Sequence, residues 1–457
     1  MKNYRRPLLI LLLCILVVGL TGCSNDTTVE GSNNTEKRIE SISLSDFRNA
    51  EKIGGFTDEG IAIIKINGKY GYIDIHGNTV AMPQYDEAED FSNGIAVVAT
   101  EIDGTDVCGA INMQGELVLP FKYKGSLIWY PEEEVFTVAE KTYEEGGTWK
   151  LLDRNGNAIS DFEWDSIAVS NNCAAVRKDG KWGIIDLAGN IIIQPKYEEM
   201  YLEDNGKQIW VKMNNGDICQ IDEDESIIRD INSIINNTNK LAKSTNISVN
   251  LGFYNFPWIW GDKVLFEVYV YQKDYGINYI VAHTWAMFDS HSFTLPMLKE
   301  GYAVSNFSVA GDYAVLCLNP LTSKSGYTMY ISDAVNANVT YYCVINKEGK
   351  TVISPMEDHI ELSGENPGVF CCRHDKNYYL MSEYGTKLTK NYKGIWGPRN
   401  GYYLYQDFNG LRGYLNQDGS IAIPAQYKNA RQFGAGYAPV CTEDGWHIIN
   451  PLGEIVY

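Results

Sequence analysis

A turn of the form Asp/Asn/Ser-x-x-Gly returns ten times down this chain, each time behind a short apolar strand. Its first residues are Asp74, Asn112, Asp153, Asp186, Asp222, Asp289, Asn346, Ser382, Asn416 and Asn450, and Gly stands three places later in all but two units, where Glu225 and Ser292 replace it. Asp, Asn or Ser first and Gly fourth is the preference of a type I turn that closes a hairpin. Successive turns lie about 34 to 41 residues apart, with two longer interruptions, a period that suits a small β-sheet unit. Repetition of this kind constrains architecture far more than chemistry.

Within each unit an apolar strand comes first, as in Ile61 to Lys65 and Ala174 to Arg177. A Gly-bearing turn follows. A second strand then carries an aromatic and a small residue side by side: Tyr70-Gly71, Trp182-Gly183, Trp285-Ala286 and Tyr342-Cys343, whereas Trp149, Tyr378 and Trp446 keep only the aromatic. Glycine weakens a strand unless something must come close, and the expected visitor is an aromatic ring from a neighbouring unit. A third strand ends near a proline such as Pro83 or Pro424, and an aromatic stands eleven residues after the turn opens, at Tyr85, Tyr123, Trp164, Tyr197 and Tyr427.

This pattern resembles the WG-repeat family, also called KWG repeats. Gly68-Lys69-Tyr70-Gly71-Tyr72-Ile73-Asp74 and Gly180-Lys181-Trp182-Gly183-Ile184-Ile185-Asp186 carry the likeness most closely, and Gly410 to Asn416 more loosely. It extends over roughly 56 to 200 and 400 to 457 and is degenerate between. The resemblance implies no catalytic residue.

The expected fold is all-β, a repeat array of short antiparallel β-sheet units, propeller-like, with an open β-solenoid as the alternative. Residues 47 to 53 line up with 427 to 433, at the start of the chain and before its last unit, which predicts a ring closed by strand exchange. Ile227, Ile228, Ile231, Ile234, Ile235 and Leu241 fall on one helical face, which predicts one helical insertion over 226–250. The domain reading is a leader over 1–22, a tether over 23–45, β repeats over 46–225, the insertion, and β repeats again over 251–457.

The leader has Lys2, Arg5 and Arg6 ahead of an apolar run from Leu8 to Leu20, too short to span a bilayer and typical of a signal peptide. Leu20-Thr21-Gly22-Cys23 resembles the bacterial lipobox, which implies that Cys23 is lipidated and that the protein is extracytoplasmic, held on the cell membrane, with an outer membrane also open. Each buried acyl CH₂ contributes about 0.8 kcal/mol to such anchoring. Ser24 to Glu40 is polar and reads as a flexible tether.

The chain has 38 basic and 58 acidic residues, and without the three basic residues of the leader its net charge falls from −20 to −23. Such a surface repels phosphate backbones, so nucleic acid is not an expected partner. The cysteines beyond Cys23 sit at strand positions and read as small buried hydrophobes. Neither paired Cys/His spacing nor a nucleophile or phosphate-loop motif is present, so no metal, cofactor or catalytic residue is assigned. Tyr254, Trp258 and Trp260, in the stretch Phe253 to Trp260, form a candidate platform for stacking on a sugar or peptide. The expected function is therefore a membrane-tethered, non-catalytic binding scaffold of the cell envelope, with protein, peptide or wall-glycan partners. An envelope hydrolase acting at the centre of a ring and a structural spacer are the alternatives.

Overall fold

The computed structural model describes residues 41–230 apart from 125, 142–146, 161–162, 171, 203–208 and 214–216, then the strands between 247 and 320, then 340–457 throughout. Among the described residues the chain forms ten small antiparallel sheets in sequence order and one short helix, Leu44–Arg48. Nine of the ten turns read from the sequence each belong to one sheet, and the Asp289 turn lies outside the described residues. The first sheet sets the plan: Lys52–Ile53, Ile61–Ile66, Lys69–Asp74 and Thr79–Tyr85 pair in that order. The second, fourth, fifth, seventh and ninth repeat it with four strands, and the sixth has five.

The turns form as their residues dictate. Asp74 Oδ1 accepts the backbone N–H of His76 and of Asn78, both at 2.8 Å, while Gly77 takes φ 76° and donates to the Asp74 carbonyl. Asp153 and Asp186 do the same. Their carboxylates are occupied by turn amides, and that hydrogen bonding is what holds the Asp186 carboxyl below its usual range, the Asn190 side chain first among its donors.

The visitor to the small-residue position is not an aromatic ring of another unit. It is the backbone of the same sheet's fourth strand. A Cβ on Gly71 would lie 2.6 Å from both the Ala81 carbonyl oxygen and the Pro83 nitrogen, and Gly413 faces Ile423 and Ala425 in the same way. The fourth strand bulges between Ala81 and Tyr85, which shifts its register against Tyr70 and Tyr72, and only a small residue leaves room for the bulge.

The first sheet packs on both faces, so apolar runs replace strict alternation. Ile61, Tyr72 and Ala81 of the first sheet pack on Phe91, Ala96 and Val98 of the second, while Ala62, Ile64 and Ile73 pack on Trp446 and Ile448 of the tenth. Buried tyrosines satisfy their hydroxyls across these junctions, Tyr72 on the Glu89 carbonyl and Tyr414 on that of Arg431, both at 2.7 Å.

The two ends of the array meet, and they meet by the same contact that joins its neighbours. Turn glycines rest on the segment that follows the third strand of the sheet before them: Gly115 on Val80, Gly156 on Leu119, Gly385 on Ile353, Gly419 on Leu388 and Gly453 on Ile423. Gly77 of the first sheet rests on the Tyr457 ring at the end of the tenth. In the fifth sheet Glu225 takes the glycine's place at φ 63° and accepts the Tyr197 hydroxyl of the fourth sheet at 2.7 Å.

The expected strand exchange does not occur. Phe47 lies on the helix, Lys52 and Ile53 pair with Lys65 and Ile64 of their own sheet, and the tenth sheet keeps three strands, flanked by Val456 and Tyr457 bonded to Ile448. The structural counterpart of Tyr427 is Ala50, three residues beyond the one the sequence alignment chose, and the Trp446 indole donates to its carbonyl at 3.1 Å. The helical insertion is corrected in part as well. Ile227–Asp230 and Ile247–Leu251 are strands, the former completing the fifth sheet against Ile218–Ile221, and 231–246 lie outside the described residues. Ile227 opens that strand five residues after its turn, as Thr79 does in the first sheet, so the repeat overrides the helical spacing.

None of the eight described cysteines is in a disulfide, and four of them are buried. Desolvation pushes the Cys173 thiol up to about 11 and those of Cys371 and Cys372 up to about 12. At pH 8 these three should resist iodoacetamide in the native protein and react only after denaturation, as peptide mass mapping would show. Fast native alkylation of Cys372 would contradict its burial.

Candidate functional site

Of the residues singled out from the sequence, Cys23 and Tyr254 lie outside the described residues, and Trp258 and Trp260 are described only as backbone of the strand Trp258–Trp260. The structure therefore neither assembles nor separates that aromatic platform. What it does place is a cleft that the repeat rule itself explains.

Three residues before each turn stands the small residue that admits the fourth strand. In three units it is bulky instead: Lys150, Tyr379 and His447. These are the third, eighth and tenth sheets, and they are the three that have only three strands. A large side chain at this position blocks the bulge, and the following segment keeps only isolated bridges, Leu152 to Ala158 and Trp149 to Trp164 in the third sheet, Met381 to Lys387 and Tyr378 to Tyr392 in the eighth.

The three vacated places differ in what fills them. In the tenth sheet the helix Leu44–Arg48 fills the place, with Arg48 against Gly445 and between Asp444 and the buried His447. In the third, Lys150 pairs with Glu163 at 3.1 Å over a cavity of about 180 Å³. The eighth opens into a cleft of about 660 Å³ against the strand Thr351–Met356 of the seventh sheet. That volume falls within the usual range of ligand pockets.

The cleft has an apolar wall of Ile353, Pro355, Met356 and Met381 and a polar wall of Asp358, His374, Tyr379 and Lys387. Tyr379, nearly buried, donates its hydroxyl to Asp358 Oδ2 at 2.6 Å, and His374 Nδ1 lies 2.5 Å from Asp358 Oδ1. Burial first, then its bond to Asp358, pushes the Tyr379 hydroxyl far above its ordinary value, so it remains a donor. The Asp358 hydrogen bond raises His374 and favours its imidazolium. Lys387 Nζ stands 4.3 Å over the Tyr379 ring and also reaches Asn391. Asp358 is thus held by two partners, and Lys387 and His374 are the charged donors of the cleft.

Sequence reading passed over this site because its parts look ordinary singly. One signal was visible: Tyr378 keeps the aromatic of its pair while Tyr379 loses the small partner. A second missed repeat is the phenylalanine followed three or four places later by Gly, in Phe56, Phe91 and Phe433, all buried at sheet junctions.

A family model described as "WG containing repeat" matches residues 51–70, 70–101, 151–182, 182–216 and 413–446. No curated protein matches the chain. Among solved structures, one titled "Crystal structure of the eukaryotic initiation factor" is similar at 12% identity and TM-score 0.46, covering 75% of this chain and 88% of that one. The Dos1 propeller is similar at 13% identity and TM-score 0.30, with 72% and 94% covered. Hsv2p of Kluyveromyces lactis follows at 9% and 0.26, with 81% and 95% covered. The fold is defined by its strand pairing and not by these distant likenesses. The matched stretches fall on strands of the first to fifth, ninth and tenth sheets, and over those stretches the chain carries WG-containing repeats.

Proposed function

We propose that this protein is a non-catalytic binding scaffold, tethered by a lipid on Cys23 to the outer side of a bacterial membrane, whose partners are proteins, peptides or glycans of the cell envelope. The observation that carries the binding reading is the cleft at Tyr379, between the seventh and eighth sheets. Rigid sheets with a local break present a surface without spending ordering entropy on it. The leader and the Cys23 motif support the address, and among the described residues no helix is long and apolar enough to cross a membrane.

Two experiments test this. Metabolic labelling with an alkyne fatty acid should mark the wild type and leave Cys23→Ser unlabelled and released to the medium; equal labelling of both would reject the anchor. Photo-crosslinking from a benzoylphenylalanine at Lys390, beside the cleft, should capture an envelope component that is not captured from Glu101 in the second sheet. Equal capture from both positions would reject a localized binding site. The hydrolase reading draws on the Asp358–His374 pair, and turnover of an envelope polymer lost in His374→Ala would favour it.

A further inference from the structure

We propose that the cleft between the seventh and eighth sheets binds a carboxylate that carries a branched apolar group, either a small free acid or the C-terminal carboxylate of a peptide. This rests on the binding reading above and names its ligand class. Asp358 accepts the Tyr379 hydroxyl and pairs with His374 Nδ1, so its charge is already partly offset within the cleft. Lys387 has three N–H donors and spends one on Asn391, while His374 uses Nδ1 on Asp358 and keeps Nε2 outward, 3.9 Å from Asp375 Oδ2. The remaining polar demand is therefore for an acceptor, and an anionic one satisfies two charged donors at once.

The rest of the cleft asks for hydrocarbon. Val352, Ile353, Pro355, Met356 and Met381 also line it, and methionine adapts to irregular apolar shapes. Tyr379 has a double role: it blocks the fourth strand to create the space, and its ring seats the Lys387 ammonium.

The test is calorimetric titration of the mature full-length protein with N-acetyl-leucine and with N-acetyl-leucinamide, which differ only in the carboxylate. The acid should bind and the amide should bind about ten- to a hundredfold more weakly, as expected for loss of a charged hydrogen bond. Lys387→Met should weaken the acid to the level of the amide, while Lys390→Met, which lies over Tyr392 and outside the cleft, should bind as wild type. If circular dichroism shows Lys387→Met to be misfolded, His374→Gln replaces it with the same expectation. A leucine-ended acetylated tripeptide distinguishes the sources: tighter binding than N-acetyl-leucine indicates a chain terminus, weaker binding a small acid. Affinity should fall as pH rises through the His374 pKa, which Asp358, Asp375 and Glu357 raise, with Lys387 the cation across the cleft. Acid and amide binding alike, or binding unaffected by both variants, overturns the carboxylate assignment and leaves the scaffold reading to the crosslinking result. Absence of binding by every probe overturns it as well.

Discussion

Gly71→Val should be among the most damaging single substitutions in this protein, lowering stability by roughly 3 kcal/mol or more. The added Cβ would stand 2.6 Å from the Ala81 oxygen and the Pro83 nitrogen and 2.8 Å from the Met82 carbonyl carbon. All three are backbone atoms of the bulged fourth strand, which can yield only by leaving the sheet. Its departure would strip cover from Tyr72 and would remove the ledge on which Gly115 of the second sheet rests. In an array held by nearest-neighbour junctions, the damage passes to the next sheet. Urea unfolding followed by circular dichroism measures the effect. Gly68→Asn in the same hairpin is the control, since Gly68 has nothing within 4 Å of its Cβ position and Asn tolerates its φ of 77°. A midpoint for Gly71→Val equal to that of Gly68→Asn would refute the role given to the small residue.

The second large effect is expected where the ends meet. Phe47 is 1% exposed in a cluster with Ile53, Phe56, Ile73 and Trp446, and its ring lies 4.8 Å from that of Tyr457 at 86°. Phe47→Ala should cost about 3 to 5 kcal/mol. The informative measurement is the cycle with Tyr457→Ala. Residues in contact couple, by about 0.5 to 1.5 kcal/mol for an edge-on aromatic pair, whereas the ends of an open solenoid would be independent. Additive losses within error would argue for an open array in solution. The same junction holds Arg48 between Asp444 and His447, so loss of the helix would leave the buried His447 facing an empty place.

Much of this fold was legible because it is written in short local phrases. A turn residue, a glycine three places on and a small residue three places before are all within one hairpin, and each acts through contacts inside its own sheet. That is why the described turns each announced a sheet, and why Lys150, Tyr379 and His447 mark the three sheets that lack a paired fourth strand. The failures share a cause too. Ile227 and Ile228 look helical beside Ile231, yet Cys219 to Ile221 offer them an edge to pair with, and a ladder satisfies more backbone than an isolated turn of helix. The alignment of Phe47 with Tyr427 missed by three residues because both segments are short and the helix Leu44–Arg48 breaks the repeat.

The sequence by itself determined the unit and the chemistry of its turns, since these depend on neighbours a few residues apart. Only the tertiary structure decided that Gly77 rests on Tyr457 as Gly115 rests on Val80, that the N-terminal helix fills the place left by His447, and that the place left by Tyr379 stays open. Those outcomes depend on residues such as Asp358, His374 and Lys387, brought together by the packing of two sheets, and no spacing along the chain encodes which vacated strand position is filled and which remains a cleft.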